Sequence, residues 1–182
     1  GNMSTRIIYS AEDIEQIEDK TEITSFICDV DYPDERIQLS GFNNLRYVSV
    51  SGCKVKQITI EGCDNVEVIY INKDEAVEKI DISSAHFRTV IVYGTPALKV
   101  FNISEIVYQN QPQEKDFTLE IQNSGLETIN VEKCPNLHGL AILNNGSLKK
   151  IVMNKVTKID AFYTSRNSPF DITQKDVGAV EE

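Results

Sequence analysis

The sequence predicts a mostly β chain wound as a right-handed parallel β solenoid, with two strands and about 21–22 residues per coil. Three observations carry this expectation. The stretch Leu45 to Cys63 is a tandem duplication: Leu45-Arg-Tyr-Val48-Ser-Val50-Ser-Gly-Cys53, then Lys54, then Val55-Lys-Gln-Ile58-Thr-Ile60-Glu-Gly-Cys63. Both halves are apolar at positions 1, 4 and 6 and carry Cys at position 9. Copies start at Ile23, Asp34, Leu45, Val55, Val66, Val77, Phe87, Leu98, Asp116, Leu126, Leu137 and Leu148, mostly 10 or 11 residues apart. Each copy is a short β-branched run with alternating inward and outward residues, closed by a corner rich in Gly, Asn, Asp or Ser, the residues that turn a chain.

One strand and one corner cannot close a coil, whereas two of each can. Stacked coils join equivalent strands into parallel sheets around a continuous apolar core. Twelve full copies give about six coils, and a stack of ~29 Å at the usual strand spacing.

Taken in order, residues 1–22 form a lead and a capping helix. Ser10 and Asp13 stand in capping-box spacing, and Glu12 and Asp13 suit a helix N-terminus. Ile14 and Ile17 make a narrow apolar edge, so a short helix is expected over 11–19, covering one end of the stack. The solenoid proper is assigned to 23–161. Its register breaks between Ile103 and Asp116, where a polar stretch near 104–115 containing Pro112 reads as a surface loop on one face. A shortened copy, Val156-Thr-Lys-Ile159-Asp-Ala161, closes the pattern. Phe162-Tyr163 and Pro169-Phe170-Asp171-Ile172 then provide apolar mass for a C-terminal cap and tail over 162–182, which a solenoid end requires.

The spacing L-x-x-L-x-L-x-x-C/N, held in register over about residues 23–161, resembles the leucine-rich-repeat signature. The two-strand coil with Cys or Asn at the corner is similar to the repeats of bacterial cell-surface leucine-rich-repeat proteins. Val, Ile or Phe often replaces Leu here, and the Asn corner survives at only a few positions, such as Asn145. The resemblance implies a secreted or bacterial cell-surface setting with a signal peptide removed; Met3 as a true start would instead imply the cytoplasm.

Composition narrows the function classes. The chain has 182 residues, 41% of them hydrophobic, and a net charge of −10. One domain with a full core is expected. Nucleic acid is not an expected partner, because its recognition needs clustered Lys and Arg. No run approaches the ~18 apolar residues of a membrane span. Cys28, Cys53, Cys63 and Cys134 contain no CxxC pair and read as buried free thiols.

Odd and even copies should build opposite faces. Outward residues of the even copies are charged or polar, with Val100 and Val152 the only apolar ones. The odd copies place Tyr47, Val68, Tyr70, Ile91, Phe117 and His138 outward, with Tyr93 extending the same face. Such an apolar, Tyr-rich patch marks an interaction surface. The expected function is therefore a non-catalytic module that binds a protein or glycan partner through Tyr47, Val68, Tyr70, Ile91, Tyr93, Phe117 and His138. The remaining readings are a carbohydrate-active β-helix enzyme, a self-associating solenoid such as a homodimer, and coverage of the face by the chain's own helix, loop or C-terminus.

No catalytic residues, metal site or cofactor are expected. His86 and His138 are the only histidines, and G-x-S-x-G and phosphate-binding glycine loops are missing. A polysaccharide-cleaving solenoid needs paired outward carboxylates. Glu67 and Glu120 are the only acids at the outward positions of the odd copies. The acids at Asp29, Asp31, Asp34 and Glu35, and at Asp74 and Glu75, read as solvated corners.

Overall fold

Each repeat folds as one short strand whose apolar residues alternate inward. In the computed structural model, residues 4–109, 116–154, 157–172 and 180–181 are described. The chain opens with β1 (Thr5–Ile7), helix α1 (Ala11–Glu15) and a 3-10 turn (Lys20–Glu22). The strands that follow are β2 (Ser25–Cys28), β3 (Arg36–Ser40), β4 (Tyr47–Ser51), β5 (Gln57–Glu61) and β6 (Val68–Asn72). Next come β7 (Lys79–Ser84), β8 (Thr89–Thr95), β9 (Val100–Glu105), β10 (Phe117–Ser124) and β11 (Thr128–Asn130). The last are β12 (Leu137–Leu143), β13 (Lys150–Val152), β14 (Ala161–Ser165), β15 (Asp171–Ile172) and β16 (Val180–Glu181).

All strand pairings are parallel, and neighbours in a sheet are not neighbours in sequence. One sheet holds nine strands in the order β1-β2-β4-β6-β8-β10-β12-β14-β16. The opposite side is divided into β3-β5-β7-β9 and β11-β13-β15. The chain is thus a parallel β solenoid of about eight turns. The repeat reaches further than the sequence reading placed it. Thr5–Ile7, read as a lead, pairs with β2, and Ala161–Ser165, read as part of a cap, pairs with β12. Ile159 is not the fourth position of a shortened copy. It is buried at position 1 of a further full copy that continues through Phe162 and Thr164. Val156, half of the insertion (110–115) and most of the expected tail lie outside the described residues.

Position 1, 4 and 6 side chains form one continuous buried cluster from Ile8 to Phe162. Phe26 and Phe42 meet edge to face at 4.7 Å between ring centroids near the N-terminal end. Helix α1 is shorter than the sequence suggests. The Asp13 carboxylate accepts the Ser10 backbone N–H at 3.0 Å, as the capping spacing requires. Asp19 then accepts from the Thr21 N–H and hydroxyl, and this local bonding competes with a helical ladder. Ile14 and Ile17 still pack against the core.

The corners follow a rule that residue identity only partly reveals. From Leu45 onward the corner residue two after the strand's last inward position in the odd copies adopts a left-handed φ (Gly52, Lys73, Gly94, Asn123, Asn144 and Arg166), as do Gly41 and Gly62 in two even copies. That conformation turns position 9 into the core, where Cys53, Asp74, Thr95, Ser124 and Asn145 stack coil upon coil, all buried. Hydrogen bonds connect successive rungs. Asp74 Oδ1 accepts from the Cys53 N–H at 2.7 Å, and Asn145 Oδ1 accepts from the Ser124 N–H and hydroxyl. Asn145 Nδ2 donates to the Ile121 carbonyl of the preceding coil, and Asn167 Nδ2 donates likewise to Ile142. Asp74 is therefore no solvated corner, contrary to the sequence reading. Asp31, Asp34 and Glu35 are exposed, as the sequence reading has them, and lie beside Lys54, the Ala11 N–H and Lys56.

The four thiols are free and buried. Cys28 and Cys53 face each other across adjacent coils with their sulfurs 3.1 Å apart. The Cys28 thiol and burial both push Cys53 up, and burial does the same for Cys63 and Cys134, whereas the bond to Cys53 draws Cys28 down, so that Cys28 is shielded by its burial alone. Thiolate is the reactive form. The native protein should therefore react with Ellman's reagent at least about a hundredfold more slowly than the unfolded chain, which exposes its thiols at ordinary pKa. Rapid reaction of any of the four in the native state would contradict this packing.

The insertion interrupts one side only. β8 and β10 pair directly across it, whereas β9 and β11 form no ladder. The coils stay joined at the corners, where the Glu105 N–H donates to the Lys133 carbonyl and the Gly125 N–H to the Thr95 carbonyl. Between those corners lies a slit flanked by Asn102, Ser104 and Lys133.

Candidate functional site

The unbroken nine-stranded sheet presents its outward residues in columns, because parallel pairing sets equivalent positions side by side. One column runs Tyr47, Val68, Thr89, Thr118, Gly139, Ala161. The next runs Ser49, Tyr70, Ile91, Glu120, Ala141, Tyr163. A third sets Tyr93 between Asn72 and Gln122. The rings of Tyr47 and Tyr70 meet edge-on at 5.8 Å across the columns. Tyr47, Val68, Tyr70, Ile91, Tyr93 and His138 are all partly exposed.

Phe117 is the exception and corrects the sequence reading, which placed it outward. It is buried and stacks on Phe87 with ring centroids 5.2 Å apart. The reason is a register shift. Phe117 pairs with Leu137 and Thr118 with Gly139, so this copy is one residue short and His138 has no opposite partner. Phe117 thereby takes position 1, which would otherwise have put Asp116 in the core. Asp116 instead lies outside, 3.7 Å from Arg88.

The chain's own described segments do not cover this face. Helix α1 packs beside β3, on the opposite side of the coil. Tyr108, in the insertion, donates its hydroxyl to the Asp64 carboxylate at a corner. β14 lengthens the sheet rather than lying over it.

Toward the C-terminal end, the same face sinks into a hollow of about 390 Å³. Its floor is made of small residues, Thr118, Gly139, Ala141 and Ala161, on three adjacent strands. Ile91 stands at one end and Tyr163, 42% exposed, at the other. Two carboxylates line it, Glu120 and Asp160. Asp160 Oδ2 lies 2.9 Å from His138 Nδ1, an ion pair when the imidazole is protonated. Glu120 sits between Ile91 and Ala141 in its column.

Tyr47, Val68, Tyr70, Ile91 and Tyr93 thus share one contiguous region, while His138 reaches the hollow only through its contact with Asp160. Sequence reasoning missed Asp160 and Tyr163, because the repeat was ended one copy early. Counting 11 residues on from Leu148 to Ile159 would have placed both on this face. Among the described residues, no three His, Cys, Asp or Glu side chains converge to hold a metal ion, and no helix is long and apolar enough to cross a membrane. No protein-family model matches the chain, and comparison with curated proteins and with solved structures also gives no match.

Proposed function

We propose that this solenoid is a non-catalytic interaction module of the leucine-rich-repeat kind that recognises a protein or glycan partner through its nine-stranded face. The observation that carries the reading is the contrast between the sides. The opposite sheet displays Arg36, Gln38, Thr59, Lys79 and Asp81, whereas the nine-stranded face displays partly exposed Tyr47, Val68, Tyr70, Ile91 and Tyr93 with no described segment over them. Tyrosine suits such a role because a large apolar body carries a polar tip.

Light scattering coupled to size exclusion tests this on the wild type and on Tyr70→Glu with Ile91→Glu. The expected result is a monomeric wild type and a folded double variant that loses less than about 2 kcal/mol, as is usual for changes outside the core. A wild-type dimer that the double variant converts to monomer would make the face a self-association surface. Failure of the variant to fold would mean that the face is internal, and would overturn the proposal.

A second reading, glycan cleavage, draws on one observation: Glu120 and Asp160 line the same hollow, and paired carboxylates are what glycosidases use. It requires release of reducing ends from a polysaccharide, abolished by Glu120→Gln.

A further inference from the structure

We propose that the hollow at Glu120 is a receptor for a cationic side chain, a lysine ammonium or arginine guanidinium, presented by a basic segment of a protein partner. The inference rests on reading the nine-stranded face as a partner-binding surface, and it names which chemistry that surface selects.

Charge comes first. The neighbouring acids on this face have cationic or ionisable companions: Glu67 lies 3.4 Å from Arg46, Asp116 lies 3.7 Å from Arg88, and Asp160 lies beside His138. Glu120 has no such companion among the described residues, and no Lys or Arg lines the hollow. It is half-buried between Ile91 and Ala141. A carboxylate without a counter-ion leaves its oxygens open to a charge-assisted hydrogen bond from an incoming cation.

Shape agrees with charge. The floor of Gly139, Ala141 and Ala161 leaves room for an alkyl stem to lie flat. At about 390 Å³ the hollow has room for one long side chain. The exposed Tyr163 ring at one end offers the electron-rich face on which ammonium and guanidinium groups rest. The net charge of −10 steers a basic partner toward the protein.

The test is a nuclear magnetic resonance titration of the full chain with acetylated, amidated Ala-Lys-Ala, with Ala-Gln-Ala, and with chitotriose as a neutral glycan. The Lys peptide is expected to shift the amides of Gly139, Ala141 and Ala161 saturably, and to bind more weakly as salt rises. Glu120→Gln should weaken it about tenfold, as loss of one charge-assisted contact does. Tyr163→Ala should weaken it by a smaller factor, and both variants should retain a dispersed native spectrum. Equal shifts from the Lys and Gln peptides, or unchanged binding by Glu120→Gln, would overturn the proposal. Shifts from chitotriose alone would also overturn it while leaving the face as a binding surface. No shifts from any of the three would overturn it, with the oligomeric-state experiment deciding the fate of the face itself.

Discussion

Asp74→Asn is expected to stabilise the protein by about 4 kcal/mol at pH 8 and to remove a loss of stability that the wild type shows between about pH 4 and pH 7. Asp74 is fully buried. Burial pushes its carboxyl up to about 7 from an ordinary value of 3.8, against the lowering effect of the Cys53 and Asn72 N–H groups. The sign follows from where the proton sits. Below pH 3.8 the folded and unfolded chains are both protonated, and the full stability is present. As pH rises, the unfolded chain releases the proton first, so folding is progressively disfavoured until the folded group also ionises near pH 7. Roughly three pH units at about 1.4 kcal/mol each set the size of the effect.

The structure also says why Asn belongs there. Asp74 Oδ1 already makes the rung contact to the Cys53 N–H, but Oδ2 is buried without a partner among the described residues. Asn145, in the same corner position three strands further along the sheet, directs its Nδ2 at the Ile121 carbonyl of the preceding coil. By register the matching carbonyl for residue 74 is that of Val50, since Ile71 pairs with Val50 as Ile142 pairs with Ile121. An amide, or a protonated acid, can donate to it, whereas a carboxylate cannot. Urea unfolding of wild type and Asp74→Asn at pH 4, 6 and 8 measures this directly. Parallel pH profiles for the two proteins would refute the account.

Asn145→Ala should act in the opposite direction, with a loss of about 3 kcal/mol, because it strips a fully engaged rung from the core. Asn145 Oδ1 accepts from the Ser124 N–H and hydroxyl, and Nδ2 donates to Ile121 O and to Asn167 Oδ1. Alanine leaves the Ser124 N–H and the Ile121 carbonyl buried without partners and adds a small cavity. Asn145→Asp separates polar satisfaction from packing. It keeps the acceptor and the volume but loses the donor on ionisation, so its stability should fall with rising pH as the wild type's does at Asp74. Denaturant midpoints for the two variants decide the matter, and a loss below about 0.5 kcal/mol in Asn145→Ala would mean that the ladder contributes little.

Much of this architecture was legible in the chain itself. Apolar residues at positions 1, 4 and 6, repeated at 10 or 11 residues from Leu45, Val55 and Val66, can all be buried in only one way, by stacking strands in register. The columns Tyr47–Val68–Thr89 and Tyr70–Ile91 follow from that spacing and are found as expected. A periodic pattern specifies which side of a strand faces inward, since side chains alternate with period two.

What the tertiary structure alone decided depends on contacts between coils and not on order within one. The pattern could not show that the copy at Phe117 drops a residue, because only its pairing with Leu137 and its stacking on Phe87 make that register the one that fills the core. Nor could it tell Asp74, buried in a ladder, from a solvated acid, because the left-handed turn at Lys73 sends it inward without a glycine to announce the turn. The hollow exists because three adjacent strands bring together Glu120, Gly139 with Ala141, and Ala161 with Tyr163. Sequence patterning sets direction along each strand, but only the stacked coils set which side chains meet.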